Sequence, residues 1–391
     1  MRSVGLDLGA RHIAFCEVVA GAVVRRGSVR RLTELMPVLG PDAPPARVAF
    51  EACREGWHVH DVLTSWHNEA LMLDTTRIKQ IGVGQHSKKN DDEDAKAIAM
   101  AVDAGRLPVA HVLSVARREL RSKLSVRGEL VEMRARQIVT IRGLARAKGV
   151  LLRTCATENF VKHVEHAKLD EATQALIAPL LATLRIADVE LVRIDTELAA
   201  IAKADSVIRL LATAPGVGVI VAATFVSVID EAKRFSDGHA VSSYLGLVPS
   251  ERTTGGPNKR RLGSITKQGN SHARAMLVQA AWLILRSQDH NNPLRRWGTE
   301  IANRRGRKIA AIALARKLAG LLWAMWRDGT VFDADFAGRE TAKGYRRDAQ
   351  RRALVADAMA RATRKIQRHE GAEKRSSRKR TRAKSSTEAA V

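Results

Sequence analysis

The stretch RSVGLDLGARHIAFCEVVAGAVVRRGSV (Arg2–Val29) decides the fold of the N-terminal part of the chain. Apolar residues alternate with small or polar ones in three runs joined by short turns, and a period of two is typical of β-strands. Later runs predict, in order, a helix, a strand, a helix and a strand: RLTELMPVL (31–39), ARVAFEAC (46–53), the segment around 58–67 and ALMLD (70–74). This order predicts a mixed α/β sheet in an N-terminal domain of residues 1–112.

Two of the predicted strands carry an acid in unusual surroundings. Asp7 shares a strand face with Gly5 and Gly9, whereas a solvent-facing strand would carry polar residues there. The glycines are expected to leave open space for a bound ion or an approaching phosphate. Glu51 lies among small neighbours on a strand that is otherwise apolar, and a buried lone glutamate is costly unless it is paired or metal-bound. We therefore expect a second acid or a cation near Glu51.

A third group of acids begins the predicted helix NDDEDAKAIAMAV (90–102). Its apolar residues recur at the spacing of one buried helix face. Asp91 precedes Ala95 by four residues and Asp94 precedes Ile98 by four residues, so both acids continue that face. This pattern predicts that Asp91 and Asp94 point towards the sheet.

An ordinary helix start also accounts for part of this acidic run. Acids in a first turn interact favourably with the helix dipole, and Asn90 or Asp91 is a suitable N-cap. Asp92 is expected to point outwards and to pair with Lys96, four residues later.

Asp7, Glu51, Asp91 and Asp94 together form a set of oxygen ligands suited to Mg²⁺ or Mn²⁺. Two such ions about 4 Å apart can orient a nucleophile and stabilise a leaving oxygen in phosphodiester chemistry. A carboxylate-metal site in a basic chain indicates a nuclease, a resolvase or a transposase.

Composition restricts the partner and the cell compartment. The chain of 391 residues carries 66 Lys and Arg against 41 Asp and Glu, a net charge of +25, which indicates a nucleic-acid partner. Aromatic residues make up only 4% of the chain, which disfavours a stacking platform for single strands. The three distant cysteines exclude a disulfide framework and a structural zinc site. The sequence predicts no segment that is apolar enough to span a bilayer. We therefore expect no membrane partner and a cytoplasmic location.

Residues 113–205 are predicted to form two long helices, paired as an antiparallel coiled coil. The first helix is rich in arginine, either as a solvated face or as a surface that lies along a phosphate backbone. These arginines are Arg117, Arg118, Arg121, Arg127, Arg134, Arg136 and Arg142.

Residues 206–335 are predicted to form a mostly helical domain with a Pro-Gly-Val-Gly turn at Pro215–Gly218. This turn resembles a helix-hairpin-helix, in which Gly216, Gly218 and the next helix N-terminus would meet a phosphate. Residues 336–391 are predicted to be a disordered basic tail that binds nucleic acid without sequence preference.

The acids and the C-terminal motifs together resemble the IS110 class of insertion-sequence transposases. The resemblance rests on VGLDLGA, AFEAC and Asp-x-x-Asp-Ala, and on ATAPGVGVIVAATFVSVI (212–229) followed by YLGLVPSERTTGGPNKRRLGSITKQGNSHARAMLVQAAW (244–282). It covers roughly residues 1–330, and the stretch 244–282 is its most specific part.

This resemblance implies a RuvC-like (RNase H-like) DEDD domain, a helical coiled-coil linker and a C-terminal transposase domain. It implies a recombinase that cuts and rejoins donor and target DNA, with Mg²⁺ (or Mn²⁺) on Asp7, Glu51, Asp91 and Asp94. It further implies a guide non-coding RNA encoded by the element (a bridge RNA), homodimers or homotetramers, and a nucleoid-associated place in a bacterial cytoplasm.

The nucleophile is the point at which this chain departs from the family. The family's serine, which forms a covalent link to DNA, aligns here with Thr254, whose β-methyl group adds crowding. The sequence leaves three possibilities open: Thr254 attacks, a neighbour such as Thr253 or Ser250 attacks, or this copy is impaired.

Cations surround the predicted nucleophile loop: Lys259, Arg260, Arg261 and Lys267. They are suited to neutralise the scissile phosphate and its neighbours, although an ordinary charged surface loop would show the same composition. Two further functions remain open, namely a RuvC-like structure-specific nuclease or Holliday-junction resolvase, and a nucleic-acid-binding protein whose catalysis has lapsed.

Overall fold

The computed structural model describes residues 1–78, 90–105, 107–252 and 261–333. Within them the chain forms two compact units: the first runs from Met1 to Leu113, and the second begins at Ser114.

The first unit is built on a mixed five-stranded sheet with the order β3-β2-β1-β4-β5. The strands are β1 (Arg2–Leu8), β2 (Ile13–Val19), β3 (Ala22–Val29), β4 (Ala46–Glu51) and β5 (Glu69–Leu73). β1, β2 and β3 form an antiparallel meander, whereas β4 pairs in parallel with β1 and β5 pairs in parallel with β4. The predicted mixed α/β sheet is therefore confirmed.

Helices cover both faces of this sheet: α1 (Met36–Leu39), α2 (Gly56–Ser65) and α3 (Asp91–Asp103). Val4, Leu6 and Phe50 pack with residues of α1 and α2 on one face. On the other face, Ala49 packs with Ile98 of α3. Alternation along each strand thus assigns every second residue to the face that α3 covers.

The second unit is mostly helical, as predicted. Its helices are α4 (Val115–Ala147), α5 (Phe160–Glu165), α6 (Glu171–Ala204), α7 (Ser206–Leu211), α8 (Val219–Ile229), α9 (Gly238–Tyr244), α10 (Ser271–Arg286), α11 (Pro293–Arg305) and α12 (Arg307–Asp328). A hairpin of β6 (Pro249–Arg252) and β7 (Arg261–Ile265) lies between α9 and α10 in the chain.

The two long helices α4 and α6 pair side by side. Their ion pairs join Lys123 to Glu197 (2.5 Å), Arg127 to Asp195 (2.5 Å) and Arg134 to Asp188 (3.1 Å). Residue numbers rise along α4 as they fall along α6, so the helices are antiparallel. For Arg127 and Arg134 the structure therefore favours a role in helix pairing over one on a phosphate backbone. The coiled-coil geometry itself stays a prediction.

The core of the second unit joins α4, α6 and the later helices, with α12 at its centre. Leu314, Leu318 and Leu322 of α12 are fully buried there. Contrary to the expectation from the sequence, α12 is long and apolar enough to cross a membrane by length and composition, the one such helix among the described residues. Half of its apolar window is buried within this unit, as in a core helix.

Candidate active site

Sheet register brings the two strand acids together at one end of the sheet. β1 and β4 run in parallel with Leu6 opposite Phe50, so the next residues, Asp7 and Glu51, stand side by side. Asp7 follows Gly5 by two positions, and Glu51 follows Ala49 by two positions. Gly5 and Ala49 lie on the sheet face that α3 covers, so the alternation of side chains along a strand places both carboxylates on that face as well. Both residues are half-buried.

The first turn of α3 supplies the other two acids. A Cβ built on Gly5 would lie 2.1 Å from the Ala95 carbonyl oxygen and 2.5 Å from the Ala99 nitrogen. A Cβ on Gly9 would lie 3.6 Å from Asp91 Oδ2. The helix axis therefore crosses β1 at Gly5, and its N-terminal turn lies over the strand end that carries Asp7.

These contacts correct the expectation of open space around Asp7. At Gly5 the space is filled by the backbone of α3, so glycine is required there for close helix-strand packing. The glycine thus fixes the position of α3, and the acids of α3 lie at the end of β1 as a consequence.

The start of α3 confirms the helix-start interpretation for part of its acidic run. Asn90 is the N-cap, and its side chain accepts a hydrogen bond from the Asp92 nitrogen at 3.1 Å. Asp92 is exposed, as expected, but Lys96 pairs with Glu93 (3.8 Å) and not with Asp92. The predicted Asp92–Lys96 pair is therefore wrong, because the i+3 partner is within reach. Asp94 is half-buried and Asp91 is exposed at the rim.

We name Asp7, Glu51, Asp91 and Asp94 the acid corner. Their oxygens are the ligands that Mg²⁺ and Mn²⁺ prefer, so the donor set fits such an ion. In the described part of the chain, no three His, Cys, Asp or Glu side chains converge into a metal-binding cluster. The backbone thus gathers these acids at one end of the sheet, and their role as metal ligands stays a prediction.

Beside the acid corner, Cys16 on β2 is fully buried and lies opposite Gly5. Burial raises the pKa of the Cys16 thiol. The thiol is therefore neutral at physiological pH, and Cys16 acts as a packing residue beneath α3.

The predicted nucleophile loop joins β6 to β7. Thr253, Thr254, Lys259 and Arg260 lie outside the described residues. Ser250, one alternative nucleophile, lies at the register shift of β6, where a Cβ on Gly263 would meet its Oγ at 2.6 Å.

The cations predicted after this loop lie on the hairpin and its exit. Arg261 begins β7 and is exposed. Lys267 adopts a positive φ of 56°, and its backbone N–H donates a hydrogen bond to the carbonyl oxygen of Gly246 at 3.1 Å.

Two glycines hold this exit segment in place. Gly269 has φ +95°, and Gly246, a position that the sequence-based prediction missed, has φ +67°. A Cβ on Gly246 would lie 2.0 Å from the Gln268 carbonyl oxygen, so the exit segment packs directly on it. The left-handed conformation of Gly246 could have been predicted from the sequence, because a glycine just after the C-terminus of a helix, here α9, is typical of a left-handed cap.

The Pro-Gly-Val-Gly turn joins α7 to α8, as predicted. Gly216 has φ +71°, and a Cβ there would meet Ile284 Cγ1 at 2.7 Å, so this glycine is needed for packing against α10. Gly218 is the exposed N-cap of α8, and a Cβ there would meet no atom within 4 Å. The packing of Gly216 has a structural explanation, and phosphate binding at this turn stays a prediction.

Comparisons with known families match both units. A model of the DEDD transposase domain of IS110 elements, described as "Transposase", matches residues 4–147. A model described as "Transposase IS116/IS110/IS902 family" matches residues 208–295. The second match contains the hairpin, α10 and the Pro-Gly-Val-Gly turn.

Curated relatives give the same result. A "Probable family 20 transposase" of Pseudomonas aeruginosa is 28% identical over 296 residues, 74% of this chain and 86% of the relative. The "Transposase for insertion sequence element IS1111A" of Coxiella burnetii is 29% identical over 284 residues, 71% of this chain and 77% of the relative. The "Transposase for insertion sequence element IS1328" of Yersinia enterocolitica is 24% identical, with 84% of this chain and 98% of the relative covered. With family models on both units and relatives along most of its length, the chain belongs to the IS110 family of insertion-sequence transposases, enzymes that cleave DNA and transfer its strands.

Proposed function

We propose that the first unit is a RuvC-like domain whose acid corner holds Mg²⁺ (or Mn²⁺) for DNA cleavage. The observation that carries this proposal is the parallel register of β1 and β4, which sets Asp7 beside Glu51 on the face that α3 covers. Asp91 and Asp94 stand in the first turn of the same helix. Four carboxylates at one sheet end are the type of ligand that Mg²⁺ prefers, in a chain whose net charge of +25 suits a nucleic-acid substrate.

Each carboxylate has a definable task in this proposal. Asp7 and Glu51 lie on strands and are held rigidly, so they would fix the position of the ion. Asp91 and Asp94 belong to a helix turn and would supply further ligands to the ion. The bound ion would polarise the scissile phosphate and stabilise the negative charge that develops on the leaving oxygen.

In the strand-transfer step, the proposed nucleophile is the hydroxyl group of Thr254. Its Oγ forms a bond to phosphorus, the bond from phosphorus to the leaving nucleotide oxygen breaks, and the hydroxyl proton passes to water. One phosphodiester replaces another, so rejoining requires no external energy source. The β-methyl group of threonine makes this attack more crowded than that of a serine.

The partners follow from the same proposal. Donor and target DNA are the substrates, and a guide non-coding RNA encoded by the element would select them. The high positive charge and the basic tail, with fifteen Lys or Arg against five Asp or Glu in residues 346–391, support binding of two nucleic acids. We further propose homodimers or homotetramers located at the bacterial nucleoid.

The test compares two isosteric substitutions in one helix turn. Asp94→Asn removes a proposed ligand, and Asp92→Asn removes an exposed acid two residues away as the matched control. Strand cleavage and Mn²⁺ binding, measured by electron paramagnetic resonance, should both fall sharply in the Asp94 variant and stay near wild type in the control. Equal behaviour of the two variants would remove Asp94 from the metal site.

A covalent DNA-protein adduct, detected by denaturing electrophoresis, tests the nucleophile. It should form in the wild type and disappear in Thr254→Val, whereas Thr253→Val should retain it. Cleavage without any adduct would favour the nuclease or resolvase function, and DNA binding without cleavage would favour a lapsed enzyme. A structured RNA that co-purifies with the chain would support the guide.

A further inference from the structure

A groove of about 940 Å³ opens in the second unit at the base of the β6–β7 hairpin. The hairpin forms one wall, and α9, α11 and α12 form the rest. All of its lining residues belong to the second unit and to the described part of the chain. Its size is at the upper end of the range for small-ligand sites, about 300–1,000 Å³.

The floor of the groove is apolar and accessible. Ile309 of α12 is 46% exposed and Leu262 of β7 is 58% exposed, so both offer apolar surface to a ligand. Trp297 of α11 adds an aromatic ring, and Lys317 Nζ lies 4.5 Å from the centre of that ring. The ammonium group of Lys317 thus lies over one face of the indole ring, which leaves the other face for an apolar contact.

The rim of the groove carries one sign of charge. Five cations line it: Lys267, Arg305, Lys308, Arg316 and Lys317. Among the described residues that line the groove, none is Asp or Glu. A ligand that fits must combine several negative charges with flat or apolar groups.

We propose that this groove binds a short unpaired stretch of DNA. Phosphates would contact the rim cations, and bases would lie against Trp297 and the aliphatic floor. Duplex DNA fits less well because its bases are hidden between the strands. The basic tail of the chain has a net charge of the same sign as the rim, which disfavours it as the occupant.

The position of the groove in the chain supports DNA as the occupant. β6 forms part of the groove wall and is followed in sequence by Thr253 and Thr254, the segment proposed to attack DNA. The inference rests on the DNA substrate of the family and on the proposed nucleophile. It does not depend on the acid corner, which belongs to the first unit.

Photo-crosslinking on the full-length chain tests this placement. A ten-nucleotide thymidine strand with one 5-iododeoxyuridine is irradiated with the protein, and the crosslinked peptides are identified by mass spectrometry. We expect crosslinks in the peptides that contain Trp297 or Ile309. Crosslinks confined to other peptides, including the basic tail, would overturn the proposal.

Matched variants then measure the contribution of the rim and the floor. Arg305 lines the groove, and its exposed neighbour Arg304 does not. For Arg305→Gln, the slope of log K against log salt should decrease by about 0.7, the value for one phosphate contact on a single strand. Arg304→Gln should keep the wild-type slope. Equal changes in the two variants would show a diffuse charge effect and overturn the site.

Trp297→Leu should weaken strand binding about tenfold, the effect of losing one stacked base. Trp282→Leu is its control, because Trp282 is also half-buried beneath a cation but lies outside the groove. Since a tryptophan variant can fail to fold, Ile309→Glu is the second test, with Leu283→Glu as its exposed control. Ile309→Glu should abolish the groove crosslinks, and their persistence would contradict the proposal.

Two comparisons separate the possible failures. A ten-nucleotide uridine strand that displaces the thymidine strand at lower concentration would assign the groove to RNA and overturn the assignment to DNA. Asp7→Asn, in the first unit, should leave the groove crosslinks unchanged. Wild-type cleavage by Asp7→Asn, with the groove crosslinks kept, would count against the acid corner and not against the groove.

Discussion

The substitution Gly5→Ala tests whether helix position controls the acid corner. A Cβ at Gly5 would lie 2.1 Å from the carbonyl oxygen of Ala95 and 2.9 Å from Ile98 Cβ. Ordinary contact begins at about 3.5 Å, so α3 must move away from β1 by more than 1 Å. The obstructing atoms include backbone of a regular helix, so a side-chain rotation cannot relieve the clash.

Two effects should follow from this displacement. Overpacking of this kind costs about 1–3 kcal/mol, and a unit of this size loses about 4–8 °C of melting temperature per kcal/mol. Asp91 and Asp94 move with the helix away from Asp7 and Glu51. A misplacement of about 1 Å can cost about 100-fold in rate, so we expect cleavage to fall by that order with all four carboxylates intact.

Thermal unfolding and single-turnover DNA cleavage measure the two effects. Gly143→Ala is the control, because a Cβ at that exposed position of α4 meets no atom within 4 Å and should raise stability by up to about 1 kcal/mol. A Gly5→Ala protein with wild-type melting and cleavage would refute the packing of α3 on β1. Lower stability with wild-type cleavage would keep the packing and refute the role of α3 in the acid corner.

Three further predictions concern the second unit. Gly216→Ala should lower the free energy of unfolding by about 1–3 kcal/mol in denaturant titrations, because its φ is positive and α10 fills the space; Gly218→Ala, with open space, should be near neutral. Burial, and to a lesser extent the charge of Arg127, lower the pKa of His272 in the folded chain. As pH drops, His272 is therefore protonated in the unfolded chain before it is protonated in the folded one. The free energy of unfolding should then decrease as pH drops below 6.5. His272→Gln should remove this part of the pH dependence of the melting temperature. Pro179→Ala, at an exposed interior position of α6, should raise the melting temperature, with a gain of up to about 3 kcal/mol.

Much of the first unit could be predicted because its pattern is local. Alternation over Arg2–Val29 specified three strands, and the meander follows from the short turns between them. The inward direction expected for Asp94 agrees with its half-buried position. Strand order and register depend on contacts between distant segments, so the pairing of β1 with β4 could not be derived from the periodicity of either strand.

The role of the arginines in α4 could not be predicted for the same reason. A run of Arg residues on one helix is compatible with phosphate, with water or with acids on another helix. In the structure, Arg127 and Arg134 pair with Asp195 and Asp188 of α6, which follow them in the sequence by more than fifty residues. Only the antiparallel alignment of the two helices brings each acid to its arginine.

The groove was missed because its residues come from five separate elements, α9, β6, β7, α11 and α12. Within α12, Lys308, Ile309 and Arg316 lie on one side, a mixture that a one-dimensional pattern attributes to a solvated helix face. The low aromatic content also disfavoured base stacking, but one well-placed Trp297 is sufficient for one base. Composition counts aromatic residues over the chain, whereas binding depends on where a single ring is accessible.

The separation of charge between the two units makes the proposals independently testable. The acid corner is negative and belongs to the first unit, whereas the groove is positive and belongs to the second. Additivity of the two substitutions measures that independence, because the effects of independent sites add in free energy. Asp94→Asn and Arg305→Gln should therefore have additive effects on strand binding, and the double variant should bind no more weakly than the sum predicts. Cleavage should behave differently. Once Asp94→Asn has abolished cleavage, adding Arg305→Gln should not lower the cleavage rate further, because no DNA strand is cut even when the groove binds it. A double variant that still responds to Arg305→Gln in cleavage would mean that cutting continues without Asp94.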